Sequence, residues 1–209
     1  MKKLCGYLFV ALATLAATGC IDNDIPYPIV KLDILTLRAE GEKAPATINT
    51  SACTVDFELE EIIDIRKVEI KDVTFTEGAE ADVQFPGRFD MRNALYVNLT
   101  KYQTFEWTIR ATQNIERYFR VEGQIGESEI DAVSHIATAY VPMDYDMNNV
   151  RITAAKFGPK DITTYYPDPL SFTSFDGTVH HTMVSYHGDI EEMWTLKIIQ
   201  KDIDVEFSA

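Results

Sequence analysis

Hydrophobic and polar residues alternate one by one along much of this chain. In "FEWTIRA", Phe105, Trp107, Ile109 and Ala111 fall on one side and Glu106, Thr108 and Arg110 on the other. That period of two marks a strand with one face buried. "LYVNL", "VEIKDVTF", "WTLKI" and "VEF" carry the same pattern. Between them "TEGAEAD", "FPGRFD", "FGPKD", "YPDP" and "SFDG" supply the Gly, Pro and Asp that let the backbone reverse. A helical period is confined to a short piece around Glu60 to Lys67. The pattern predicts an all-β chain.

The pattern also repeats. "AEGEKAPATINTSACTVDFEL" from Ala39 matches "VEGQIGESEIDAVSHIATAYV" from Val121 at an offset of 82 residues. Glu40-Gly41 falls on Glu122-Gly123, Ile48-Asn49 on Ile130-Asp131, and Val55, Phe57 and Leu59 on Ala137, Ala139 and Val141. The same offset carries "DIRKVEI" onto "DMNNVRI" and Phe75 onto Phe157; further on, Phe89-Asp90 aligns with Phe175-Asp176 and "EWTI" with "MWTL". Two copies of one unit explain this most simply. Each copy is long enough for several short strands, so the expected fold is two tandem immunoglobulin-like antiparallel β-sandwiches, at 31–121 and 122–209, without the cysteine pair of antibody domains. Trp107 and Trp194 are the expected anchors of the two cores, since their strand neighbours are aliphatic. Asp64 and Asp146 open the "DxxxVxI" motif in each copy and are expected to brace a turn through their carboxylates. The junction "ERYFRVEGQIG" is too short and too apolar for a floppy linker, which predicts a fairly rigid pair.

The N-terminus has a different grammar. Met1-Lys2-Lys3 is followed by the uncharged run "LCGYLFVALATLAA" and then by small residues, the layout of a secretory signal over 1–19. The run is shorter than the ~20 residues that cross a bilayer. Cys20 follows Ala17, Thr18 and Gly19, which resembles the lipobox of bacterial lipoproteins, where the signal is cut before an acylated cysteine. Residues 20–30 then form a tether. Cys5 leaves with the signal and Cys20 carries lipid, so Cys53 stands alone, without an intramolecular disulfide, and is expected to be a small buried apolar residue. An acylated Cys20 holds the chain at a membrane.

Charge narrows the partners. The chain has 33 acidic and 19 basic residues; without Lys2 and Lys3 the mature balance is 17 against 33, or −16. Such a surface repels phosphate backbones and anionic lipid heads, which disfavours nucleic acid and any basic membrane face. It keeps an exposed protein soluble.

Candidate chemistry is sparse. His180 and His181 are adjacent on a strand pattern and therefore point to opposite faces, so they cannot share one ion, and His187 can join only one of them. His135 stands at the repeat position of Cys53 and reads as a strand-edge residue. No metal and no other cofactor is expected. Glycoside hydrolysis needs two carboxylates facing across a cleft. Glu60-Glu61, Asp144 with Asp146, and Asp189 with Glu191 and Glu192 offer carboxylates, but in so acidic a chain clusters arise without chemistry, and no enzyme is expected. Sugar binding needs exposed aromatic rings, for which Tyr165, Tyr166 and Tyr145 are the candidates. The pair Tyr165-Tyr166 can instead pack between the two sandwiches.

"CIDNDIPYP", "YQTFEWTI", "IERYFRVEGQIG" and "MWTL" together resemble the N-terminal region of Bacteroidetes surface lipoproteins of the carbohydrate-metabolism (PCMD) family, from Cys20 to about Lys201. In that family immunoglobulin-like domains precede a larger domain thought to engage carbohydrate, and this sequence stops where that domain would begin. The resemblance implies a lipid-anchored protein of the outer membrane, exposed at the cell surface, that serves as a spacer or platform linked to glycan utilisation. Asp22 and Asp24 resemble the acidic export signals of such lipoproteins. The expected partners are the membrane, through the lipid, and a glycan or a protein; short edge strands offer a route for β-addition.

Overall fold

The computed structural model describes residues 30–202; Cys20, the expected signal peptide and residues 203–209 lie outside them. The described chain is all-β. Eight strands come first: β1 (Ile34–Ala39), β2 (Thr47–Asn49), β3 (Thr54–Leu59), β4 (Val68–Phe75), β5 (Glu80–Ala81), β6 (Gly87–Phe89), β7 (Leu95–Thr100) and β8 (Thr104–Gln113). Seven follow: β9 (Tyr118–Val121), β10 (Glu129–Asp131), β11 (Ile136–Pro142), β12 (Ile152–Lys156), β13 (Thr164–Tyr166), β14 (His180–Tyr186) and β15 (Ile190–Lys201). The first group forms sheets ordered β1-β4-β6 and β2-β3-β8-β7-β5; the second forms β12-β9 and β10-β11-β15-β14-β13. The helical piece expected around Glu60 to Lys67 is a single 3-10 turn over Ile65–Lys67, because the extended backbone at Val68 leads straight into β4.

The repeat extends to hydrogen-bond register. Ala39 pairs with Ile70 and Arg38 with Asp72 across β1 and β4; at the 82-residue offset Val121 pairs with Ile152 and Arg120 with Ala154, and the bulge falls at the same step. Thr47 faces Asp56 in the first half as Glu129 faces Thr138 in the second. β3 runs parallel to β8, with Thr54 opposite Thr108, and β11 runs parallel to β15, with Ile136 opposite Thr195. These two seams correct the expectation of wholly antiparallel sheets. Most of a unit separates the paired strands, which is ample chain for a parallel return.

Turns repeat as well. Cys53 and His135 both take left-handed backbone, at φ 53° and 55°, immediately before β3 and β11. Their carbonyls accept from Thr108 N–H and Thr195 N–H at 2.9 and 2.8 Å. Cys53 is therefore a half-buried turn residue rather than a buried core residue, and His135 likewise occupies the turn just before β11 rather than the edge of a strand. Asp64 Oδ1 accepts from Arg66 N–H at 3.0 Å, and Asp146 Oδ1 from Asn148 N–H at 3.0 Å, the paired braces expected of the "DxxxVxI" motif.

Two buried clusters lie between the sheets, one running from Leu32 to Ile109 and the other from Phe119 to Ile198. Trp107 and Trp194 are fully buried, one in each. Trp107 Nε1 donates to Leu32 O at 2.9 Å, and Trp194 stacks on Phe157 with centroids 4.7 Å apart. Phe119 and Val121 belong to the second cluster, so the change of core falls near 114–117 and not between 121 and 122. The visible similarity begins at the last residue of β1 and β9, which put the sequence-based cut one strand too late. The Phe89–Phe175 match also moves by two residues. Met91 N–H donates to Ile65 O as Phe175 N–H donates to Met147 O, so Met91 and Phe175 are the equivalent buried pair.

Candidate functional site

The two halves meet at a charged junction built from the turn that Asp64 braces. Asp64 grips the Arg66 guanidinium through Nε and Nη2, both at 2.8 Å. So held, the guanidinium reaches the β14–β15 turn, where Nη1 donates to Asp189 Oδ2 at 3.1 Å and Nη2 to Oδ1 at 2.6 Å. The bond from Arg66 outweighs burial and lowers the Asp64 carboxyl to about 2; Asp189 is also lowered, by the same guanidinium.

A second pin lies nearby. Glu61 Oε2 accepts from Lys156 Nζ at 2.7 Å, and its Oε1 accepts from Lys160 N–H at 3.1 Å. Burial raises the Glu61 carboxyl, but these bonds together outweigh it and the net displacement is downward. The connection between the halves is fixed at both ends. Gln113 Nε2 donates to Glu60 O and Ile63 O, and Lys156 Nζ donates to Glu116 O. Arg117 Nε donates to Phe157 O at 2.7 Å, with its guanidinium over the Trp194 ring. A groove of about 450 Å3 opens at this junction beside Glu61, Ile62, Asn114 and Lys160.

Two other carboxylates named from sequence, Asp146 and Glu192, serve a turn and a pair of rings. Asp146 braces its turn. Glu192 points inward on β15 and accepts from Tyr186 Oη–H at 2.6 Å and Trp194 Nε1–H at 3.0 Å. A general acid at neutral pH needs a raised carboxyl, whereas Glu61 and Asp189 are displaced the opposite way.

The histidines occupy separate surroundings. His180 Nε2 bonds Ser174 O at 2.6 Å and its ring stacks on Phe172, while His181 is exposed beside Thr195. His187 sits in the β14–β15 turn in left-handed backbone. Among the described residues no three of His, Cys, Asp and Glu are grouped to hold a metal ion.

The tyrosines divide by face. Tyr165 packs edge-on against Phe157, its hydroxyl accepts from Phe157 N–H at 3.1 Å, and burial raises its pKa. Tyr166 lies on the opposite face of β13 and is 82% exposed. The two rings therefore do not make one platform. Across the sheet Tyr166 is opposite Met183, which is opposite Met193, giving an outer row with one aromatic ring. Tyr145 is the repeat partner of Ile63 and plugs the same gap: a Cβ on Gly41 would collide with Ile63, and one on Gly123 would lie 3.2 Å from the Tyr145 ring.

The junction pins escaped the sequence reading. Glu61 and Asp189 stood in acidic clusters, but nothing local singles out Lys156 or Arg66 as partners 95 and 123 residues away.

No family model matches this chain, and no curated protein does. Among solved structures, a crystal structure from Bacteroides thetaiotaomicron described as a "putative glycoside hydrolase" is similar at 16% identity and a TM-score of 0.38, over 51% of this chain and 33% of that one. This chain thus spans less than two thirds of that protein's length.

Proposed function

We propose that this chain is a lipid-anchored cell-surface protein of two immunoglobulin-like β-sandwiches that acts as a semi-rigid spacer and interaction module, without catalysis of its own, in the service of glycan utilisation. The observation that carries the reading is the junction. Two independent cores joined by a free linker would swing, whereas here Arg66–Asp189 and Glu61–Lys156 cross between the halves and the connecting residues are bonded on both sides. Such a pair holds whatever binds it at a set distance from its anchor. Cys20 supplies that anchor in this reading, with the outer membrane as its site.

Fractionation of cells tests it. Wild type should sediment with the outer membrane and be accessible to added protease, while Cys20→Ala should be released. Wild type recovered as soluble protein contradicts the anchor.

The exposure of Tyr166 favours one second reading, a glycan-binding face on which a pyranose ring stacks. A glycan array probed with wild type and Tyr166→Ala separates it from the first: sugar binding that depends on Tyr166 supports it, and binding to no glycan removes it.

A further inference from the structure

One row on the outer face of the second five-stranded sheet differs in kind from its counterpart in the first half. Across β7 and β8 Asn98 pairs with Glu106, and Asn98 Nδ2 donates to Asp82 Oδ2 at 2.8 Å, so that row is polar, acidic and bonded within itself. The equivalent pair across β14 and β15 is Met183 opposite Met193, with Tyr166 of β13 in the place of Asp82. One step along the strands, Tyr96 opposite Thr108 becomes His181 opposite Thr195. The frame around these positions is kept, since Val97 faces Trp107 as Thr182 faces Trp194. Only the second half gathers two thioethers and an imidazole on it.

All three side chains are on the solvent side. Thr182, Val184 and Trp194 are buried, so the alternation of β14 and β15 turns His181, Met183 and Met193 outward, and Met193 is 51% exposed. Directly opposed residues hold their Cβ atoms about 5 Å apart and diagonal neighbours about 7–8 Å, within reach of long side chains. Met183 and Met193 are a direct pair, and His181 and Met193 a diagonal one. His181 Nδ1 bonds Thr195 Oγ1 at 3.2 Å, which draws the ring towards β15, the strand that carries Met193. With Nδ1–H as the donor in that bond, Nε2 keeps its lone pair for a ligand. Glu191 lies two residues before Met193 on this face and Lys197 four residues after it, about 13 Å along the strand and beyond the screening length of physiological salt.

We infer that Met183, Met193 and His181 form a site for a soft monovalent cation, Cu(I) or Ag(I), held by two thioether sulfurs and the imidazole Nε2. Thioethers select soft ions, whereas Zn(II) takes thiolate, imidazole or carboxylate and Ca(II) takes oxygen. A trio of His, Cys, Asp and Glu is not needed, because the two sulfurs carry the site. The flexible methionine side chains let both sulfurs close on one ion. Thr195 plays the part of the outer partner that fixes the tautomer of a ligating histidine. His180 takes no part: it faces the other side of β14, where it bonds Ser174 O. The site rests on neither the lipid anchor nor the junction, and its failure leaves the spacer reading standing.

The test is an NMR titration of the full mature chain, carrying Cys20→Ser and Cys53→Ser and labelled at its methionine methyls, with silver nitrate in chloride-free buffer. Met143, 57% exposed and outside the row, is the internal control. The methyl signals of Met183 and Met193 should move together and saturate at one equivalent, while that of Met143 stays in place. Cu(I), supplied without oxygen, should move the same two signals, and Zn(II) should move neither. Met183→Leu combined with Met193→Leu, an exchange of similar volume on the outer face, should abolish saturable binding, and His181→Gln should weaken it at least about tenfold. Silver or Cu(I) that fails to saturate the site, methyls that answer Zn(II), or equal movement of Met143 overturns the proposal. So does silver binding that survives the paired leucines or is unchanged in His181→Gln.

Discussion

Gln113 and Gln200 make the same bond in the two halves of the chain. Gln113 Nε2 donates to Ile63 O at 2.7 Å and Gln200 Nε2 to Tyr145 O at 3.0 Å, and each amide also takes a second carbonyl of the same loop. The two glutamines stand 87 positions apart, as Trp107 and Trp194 do. One side chain near the end of the last strand thus staples the loop that follows the third. Gln113→Ala and Gln200→Ala should each cost about 1 kcal/mol in urea unfolding, and Gln113→Ala alone should also loosen the junction, since its loop carries Glu61 and Arg66.

Glycine has a matched role at two places. Gly41 and Gly123 take φ of 65° and 75°, and a side chain at either would press on Ile63 or Tyr145. Gly41→Ala and Gly123→Ala should destabilise by at least about 1–2 kcal/mol from the left-handed backbone alone. Gly126→Ala is the control: its φ is 67° but open space surrounds it, so thermal melts should show a smaller loss than for Gly41→Ala.

Separate cores predict separable damage. Trp107→Ala and Trp194→Ala should each cost about 3–5 kcal/mol within their own half. In each variant the remaining tryptophan reports the undamaged half by fluorescence. A single unfolding transition, equally shifted in both variants, would mean that the two clusters behave as one.

The junction is sensitive to acid. A carboxyl whose folded pKa is depressed contributes stability that is complete above its ordinary value and vanishes as pH falls through the folded one. For Asp64 that window runs from its ordinary 3.8 down to about 2, and Glu61 and Asp189 shift in the same direction. Small-angle scattering should therefore show the two halves loosening between about pH 4 and pH 2, with Asp64→Asn already loosened at neutral pH.

What could be read in the sequence was whatever is local and repeated. Alternation in "FEWTIRA" and "MWTL" exposed the strands and both tryptophans, because a strand buried on one face imposes a period of two. The 82-residue offset carried the turns braced by Asp64 and Asp146. The first strand of the second unit escaped, since Tyr118–Val121 shares little composition with Ile34–Ala39 even though both occupy the same register. The parallel seams and the charged pins escaped for another reason: they join residues far apart in a chain with 33 acids, where no local feature marks which pair will meet. Tyr165 and Tyr166 look alike in sequence, and only the alternation of β13 sends one ring to the core and the other to solvent.

The central claim is that the junction holds the two halves in one arrangement. Spin labels at Glu77→Cys and Thr178→Cys, in a mature chain carrying Cys20→Ser and Cys53→Ser, place one probe on each half, and double electron–electron resonance reads the distances between them. One narrow distance distribution is expected, broadened when Arg66→Ala and Glu61→Ala are combined. A broad distribution in the otherwise unaltered chain would contradict the account.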